Sequence, residues 1–179
     1  MPRNVDRHAY WAEAGLAHLS DAHILRDGTF QCDRLRCSLY ARAARCALNA
    51  MLSAQGDQAE VRSLNLLAPV VSLDQAGQGF GRHEERATQY ARLLSRVLVI
   101  DQSDAGEGYV TRDLFGDQDV EACESAAIFF VDQCCRRLMR ATWEQALLRF
   151  HPFREPPMVD TRLWARRERS PVRSKRRAS

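Results

Sequence analysis

Lysine is all but missing from this chain: Lys175 stands alone against 25 arginines. A GC-rich coding sequence produces that imbalance throughout a protein. Selection for bidentate phosphate contacts gives the same arginine excess, but it does not require lysine to vanish everywhere. Glycine and proline are also scarce, at 9 and 6 of 179 residues, and four of the prolines follow position 151. Long stretches without these breakers, rich in Ala, Leu and Arg, favour helix, because those residues cost least in a helical backbone. No stretch alternates apolar and polar residues for long enough to make a strand, which argues against a sheet. None of the six cysteines forms a C-x-x-C pair, so the usual zinc and dithiol redox spacings are excluded. The longest apolar run, Ala126 to Val131, is far too short to cross a membrane. Arg3, Asp6 and Arg7 interrupt any leader-like apolar run near the start. A reducing cytoplasm is the compartment these absences fit.

What is present describes one helical domain and a tail. Apolar residues make up 45% and charged residues 27% of the chain, an ordinary globular balance. The net charge of +3 is unevenly placed. Residues 1–151 hold 17 basic and 20 acidic side chains, whereas 152–179 hold 9 basic and 3 acidic ones. The expected organisation is a bundle over 1–151 and a Pro/Arg-rich, mostly extended or disordered basic tail over 152–179.

Spacing of three and four predicts the helices. The first spans about Val5 to Arg26, with Trp11, Ala14, Gly15, His18, Ala22 and Leu25 on one face and Ala12, Leu16 and Leu19 widening it. The second runs from Asp33 to Gln55 and stops at Gly56. It is apolar over most of its circumference, as a central helix would be, and its remaining face carries Arg34, Ser38, Arg42, Arg45 and Asn49. A short third helix is expected over 59–73, bent or ended by Pro69, with Leu64, Leu67, Ala68 and Val71 inward. QAGQGFGR then looks like a flexible connector; its glycines do not match G-x-G-x-x-G and follow no strand. A fourth helix covers about His83 to Asp101. The last starts near Asp117 and continues past Trp143 and Leu148 to Pro152. The fold class is therefore all-α, an up-and-down bundle of four to five helices.

Three features bear on chemistry. Arg34, Arg42 and Arg45 share one face of the central helix, where they line a phosphate-binding groove or pair with acids of a neighbour such as Glu13 or Asp21. The tail arginines Arg166, Arg167, Arg173, Arg176 and Arg177, with Lys175, suit nonspecific nucleic-acid contact, a solubilising end or docking on an acidic partner. The loop YVTRDLFG places Tyr109, Arg112 and Asp113 just before the last helix. As a calcium loop starting at Asp101, the preceding acidic segment fails, because position 12 is Arg112 where a glutamate is needed. Neither the histidines nor Cys134-Cys135 have metal-ligand spacing, and no cofactor is expected.

The pattern YWAEAGLAHLSDAHILRDGTFQCDRLRCSLYARAARCALNAMLSAQG resembles the first helix pair of HEPN (higher eukaryotes and prokaryotes nucleotide-binding) domains. VRSLNLLAPVV is similar to the short helix that follows there, and GYVTRDLFGDQDVEACESAAIFFVDQCCRRL to the closing segment, so the likeness covers roughly 8–138. It implies a four- to five-helix bundle that often dimerises and works near RNA or nucleotides, commonly in toxin–antitoxin or defence systems beside a nucleotidyltransferase-type antitoxin. Active members carry R-x(4–6)-H before or at the start of the last long helix, the guanidinium stabilising phosphate charge and the histidine moving a proton. Here no histidine follows Arg112 or Arg96 at that spacing, Arg82-His83 is adjacent, and Gly108 stands before Tyr109 where a related branch has an aspartate. The expectation is a non-catalytic member that binds phosphate through Arg34, Arg42, Arg45, Arg96 and the tail. The alternatives are a metal-independent ribonuclease using Arg112 with Asp113 or Tyr109, and an interaction module docking through the tail.

Overall fold

A computed structural model describes residues 7–27, 32–56, 64–104 and 117–150. These form six α-helices and no strand among the described residues: α1 (Arg7–Asp27), α2 (Asp33–Ala54), α3 (Leu67–Gln75), α4 (Glu84–Asp104), α5 (Asp117–Leu138) and α6 (Trp143–Phe150). The protein is an all-α bundle. The Tyr109, Arg112 and Asp113 loop, the Asp101–Glu107 side chains and the tail from 151 onward lie outside the described residues.

Helix α2 is the axis, touching α1, α3, α4 and α5. Thirteen of its residues are buried, including Tyr40, Ala43, Ala44, Leu48 and Met51, which accounts for its nearly all-round apolar sequence. Pair contacts fix the directions. Gly15 meets Ala43 and Ala47, while His23 faces Tyr40, so α1 and α2 are antiparallel. The Cys37 thiol bonds to Cys123 and Cys46 lies near Cys134, so α2 and α5 run the same way. Arg137 reaches the Gln78 carbonyl just ahead of α4 and Tyr90 within α4 meets Phe129, so α4 returns against α5. That is the expected up-and-down order, with α3 and α6 as short additions. Each fully buried leucine, such as Leu16, Leu19, Leu48 or Leu94, stabilises the fold by about 1.5–3 kcal/mol.

Several boundaries differ from the sequence expectation. The buried face of α1 is centred on Ala12, Leu16, Leu19 and Ala22, because α5 and α6 also pack on this helix. The third helix begins only at Leu67, so Pro69 sits in its first turn, where a missing N–H costs no intrahelical bond. That register turns Leu66, Pro69, Val70 and Leu73 inward and leaves Ala68 and Val71 exposed. On α2, Leu35 is exposed, while Ser38 and Asn49 are buried, so its polar stripe is not a solvated face.

The glycine connector is held down. Arg137 donates to the carbonyls of Gln78 and Gly79 at 2.6 and 3.0 Å, and Phe80 is buried among Phe129 and Phe130. The last helix is two helices. α5 ends at a left-handed residue: Arg140 takes φ 51°, a common helix stop, and the Ala141 N–H reaches back to the Cys135 carbonyl at 3.4 Å. Thr142 then opens α6 with a reciprocal cap. Gln145 N–H donates to Thr142 Oγ1 at 3.3 Å, and Thr142 N–H donates to Gln145 Oε1 at 3.1 Å. That is the capping box of a T-x-x-Q sequence.

Candidate functional site

The α2 arginines divide by depth. Arg42 is exposed, while Arg34 and Arg45 are half-buried. Positions 42 and 45 are one turn apart and lie beside His18 of α1. Gly15, one turn earlier on α1, allows that approach. A Cβ at Gly15 would sit 3.2 Å from the Ala43 carbonyl oxygen and 3.5 Å from the Ala47 nitrogen, so only glycine lets the two backbones come this close without adjustment.

His18 lies within the field of these side chains. Burial lowers its pKa first, and the positive charges of Arg42 and Arg45 lower it further, against an upward pull from Asp21. Asp21 is thus one acid within reach of the imidazole. Two guanidinium groups and the Asp21 carboxylate share this face with the imidazole. His18 is kept neutral there, able to donate or accept a hydrogen bond without adding charge.

Arg96 does not join this group. It lies on α4 and lines an open groove of about 710 Å³ with Leu64, Val99 and Ile100. At the groove's edge Ser95 accepts the Leu66 N–H at 2.9 Å and donates to the Ala91 carbonyl at 2.6 Å. Of the expected phosphate contacts, then, the structure brings together Arg42 and Arg45 beside His18. Arg34 lies farther along α2, Arg96 lies on another helix, and Arg166, Arg167, Arg173, Lys175, Arg176 and Arg177 lie outside the described residues, as do Tyr109, Arg112 and Asp113.

A second polar cluster was not anticipated. Where α1 ends and α2 begins, Glu124 of α5 accepts from Arg26 Nη1 at 2.9 Å, and its Oε1 lies 3.2 Å from His23 Nε2. The His23 ring stands edge-on to Tyr40 at 6.1 Å and to Trp143 at 5.6 Å. Arg36 pairs with Asp33 at 3.3 Å and lies beside the Tyr40 hydroxyl, whose pKa is raised by burial and by Glu124 and partly restored by Arg36. The hydroxyl has no well-formed hydrogen bond among the described residues. The group unites three helices, so no single helical stripe advertises it. Its only local signs are polar residues one turn apart, His23 with Arg26 and Arg36 with Tyr40, inside otherwise apolar faces.

The cysteines are packing residues. Five of six are buried and Cys32 is exposed. The Cys37–Cys123 hydrogen bond lowers Cys37 and raises Cys123. Burial pushes Cys46 up to about 11, Cys135 up to about 12, and Cys134 up as well. Thiols with raised values are poor nucleophiles and poor metal ligands at neutral pH. Among the described residues no group of three or more His, Cys, Asp or Glu is placed to hold a metal, and no helix is long and apolar enough to cross a membrane.

Comparison with protein-family models, with curated proteins and with solved structures finds no match.

Proposed function

We propose that this chain is a HEPN-like bundle that associates with RNA or a nucleotide through phosphate and does not cleave it. In this reading it acts in a bacterial cytoplasm, as a homodimer within a toxin–antitoxin or defence module whose second component is of nucleotidyltransferase type. The carrying observation is the placement of Arg42 and Arg45 together on α2 beside His18 of α1, whose pKa both lower. Guanidinium groups on a rigid helix suit phosphate oxygens, which accept two parallel N–H bonds. Support for the family part of the reading is the helical pattern of 8–138, together with the up-and-down order of the four long helices. Incubating the purified chain with single-stranded RNA tests the proposal. A mobility shift with the RNA recovered intact is expected; no shift at low salt, or cleavage, contradicts it.

A metal-independent ribonuclease is the second reading, using Arg112 with Asp113 or Tyr109. One observation favours it. His23 of α1 lies 3.2 Å from Glu124, seven positions into the helix whose start follows Arg112. An imidazole held by a carboxylate is a proton carrier, and here it comes from a different helix. This reading predicts RNA cleavage, and toxicity on expression, that both Arg112→Ala and His23→Ala abolish.

A further inference from the structure

The cavity between α4, α5 and α6 belongs to neither arginine face nor polar cluster, and its volume is about 300 Å³. Phe129 is among the α5 residues that line it. One wall is α4, where Arg86 and Tyr90 are one turn apart on the same side. The other wall is the start of α6, with Trp143 and Glu144. Tyr90 meets Phe129 edge-on with centroids 5.6 Å apart, and with Trp143 they line the cavity with aromatic side chains from all three helices.

Its charges are partly spent. Asp132 accepts from Arg136 Nε at 2.5 Å with one oxygen and from the Trp143 N–H at 3.2 Å with the other. Those bonds hold the α6 wall against α5 and leave Asp132 little capacity for a ligand. Arg86 and Glu144 are both exposed, and neither is tied to another side chain by an ion pair or hydrogen bond among the described residues. A donor fork thus lines the cavity from α4 and an acceptor, which also acts on Arg136, from α6. Counting Arg136 and Asp132, the lining charges cancel. A phosphate gains no net attraction there, whereas a flat neutral ring gains from the aromatic surface.

We propose that this cavity binds a free guanine-type base or its nucleoside. Guanine carries acceptors, O6 and N7, on one edge, which suit the Arg86 fork. It carries N–H donors, at N1 and on the 2-amino group, on another edge, which suit the Glu144 carboxylate. Adenine presents N1 as an acceptor where a carboxylate also accepts, and so is disfavoured. The proposal uses none of the residues of the RNA reading and stands or falls separately from it.

Calorimetric titration of the full chain with guanosine and with adenosine tests it. Saturable one-to-one binding of guanosine is expected, at least tenfold tighter than adenosine. Arg86→Ala and Glu144→Gln each weaken guanosine by about tenfold or more. Both side chains are exposed, so neither change disturbs the core. Titration with guanosine also quenches tryptophan fluorescence, and Trp143→Phe removes that signal. No saturable guanosine binding, unchanged affinity in both charge variants, or equal affinity for adenosine overturns the assignment.

Discussion

The guanidinium of Arg137 lies 4.9 Å from the centroid of the Phe80 ring, and the same group donates to the two carbonyls just before that ring. One side chain of α5 thus holds the turn that starts α4. It supplies a cation–π contact and two hydrogen bonds to backbone groups that otherwise lack a helical partner. Arg137→Ala is expected to destabilise the fold by about 1–3 kcal/mol, because the carbonyls lose their donors. Arg137→Lys recovers only part of this, since an ammonium cannot present the planar fork. Chemical denaturation of the two variants checks the order.

Gly15 sets the spacing of α1 and α2. Gly15→Leu is expected to force the helices apart and cost roughly 1–3 kcal/mol or more. Gly15→Ala requires a shift of only tenths of an ångström at the Ala43 carbonyl, and its intrinsic helix preference offsets part of the strain. Loss of the spacing also separates His18 from Arg42 and Arg45, so thermal unfolding and the His18 titration are expected to change together in Gly15→Leu.

His18 makes stability depend on pH with a definite sign. Its folded-state pKa is lowered from 6.5, so the unfolded chain takes up the proton first. The contribution is neutral above about 6.5 and turns against folding as pH falls through that value toward the folded pKa, where it levels off. Burial is the largest cause, so Arg42→Gln is expected to raise the His18 pKa only part of the way, and Asp21→Asn to lower it further. Titration of the imidazole by nuclear magnetic resonance measures both.

The thiols give a simple count. Cys32 is exposed and the other five are buried. A disulfide-exchange reagent at neutral pH is expected to modify one thiol per native chain quickly and all six in denaturant. Rapid modification of three or more in the native protein contradicts the packing of α2 against α5.

The stretch TRDLFGDQDVE leads into the last long helix. The start at Asp117 was legible from an acidic cap and the apolar spacing after it. The end was not. Nothing in RRLMRATWEQ contains the glycine or proline that commonly marks a stop, and Arg140 fills the left-handed position instead, at a cost of about 1–2 kcal/mol for a residue with a Cβ. The T-x-x-Q box was written there and is the signal that could have split α5 from α6. Arg140→Gly is accordingly expected to leave the fold intact and stabilise it, up to about 1 kcal/mol, as read by thermal unfolding.

Periodicity revealed which helices exist because each needs one buried face. It did not reveal how those faces rotate against one another. That is why Ala68 and Val71 were placed inward and are exposed. The same limit hid the His23, Glu124 and Tyr40 cluster, whose members come from α1, α5 and α2 and meet only once the helices are assembled. Arg42 and Arg45 were legible as a pair because their spacing is a single turn. Their neighbour His18 was not, because it comes from another helix.

The central claim, phosphate contact by the α1–α2 face, is tested most directly by the salt dependence of single-stranded RNA affinity. Each phosphate contact contributes about 0.7 to the slope of log affinity against log salt for a single strand. The full chain is expected to bind with a steep slope, and the Arg42→Gln, Arg45→Gln double variant to bind more weakly with a slope shallower by about 1.4. Equal slopes and equal affinities for the two proteins would contradict the assignment of that face.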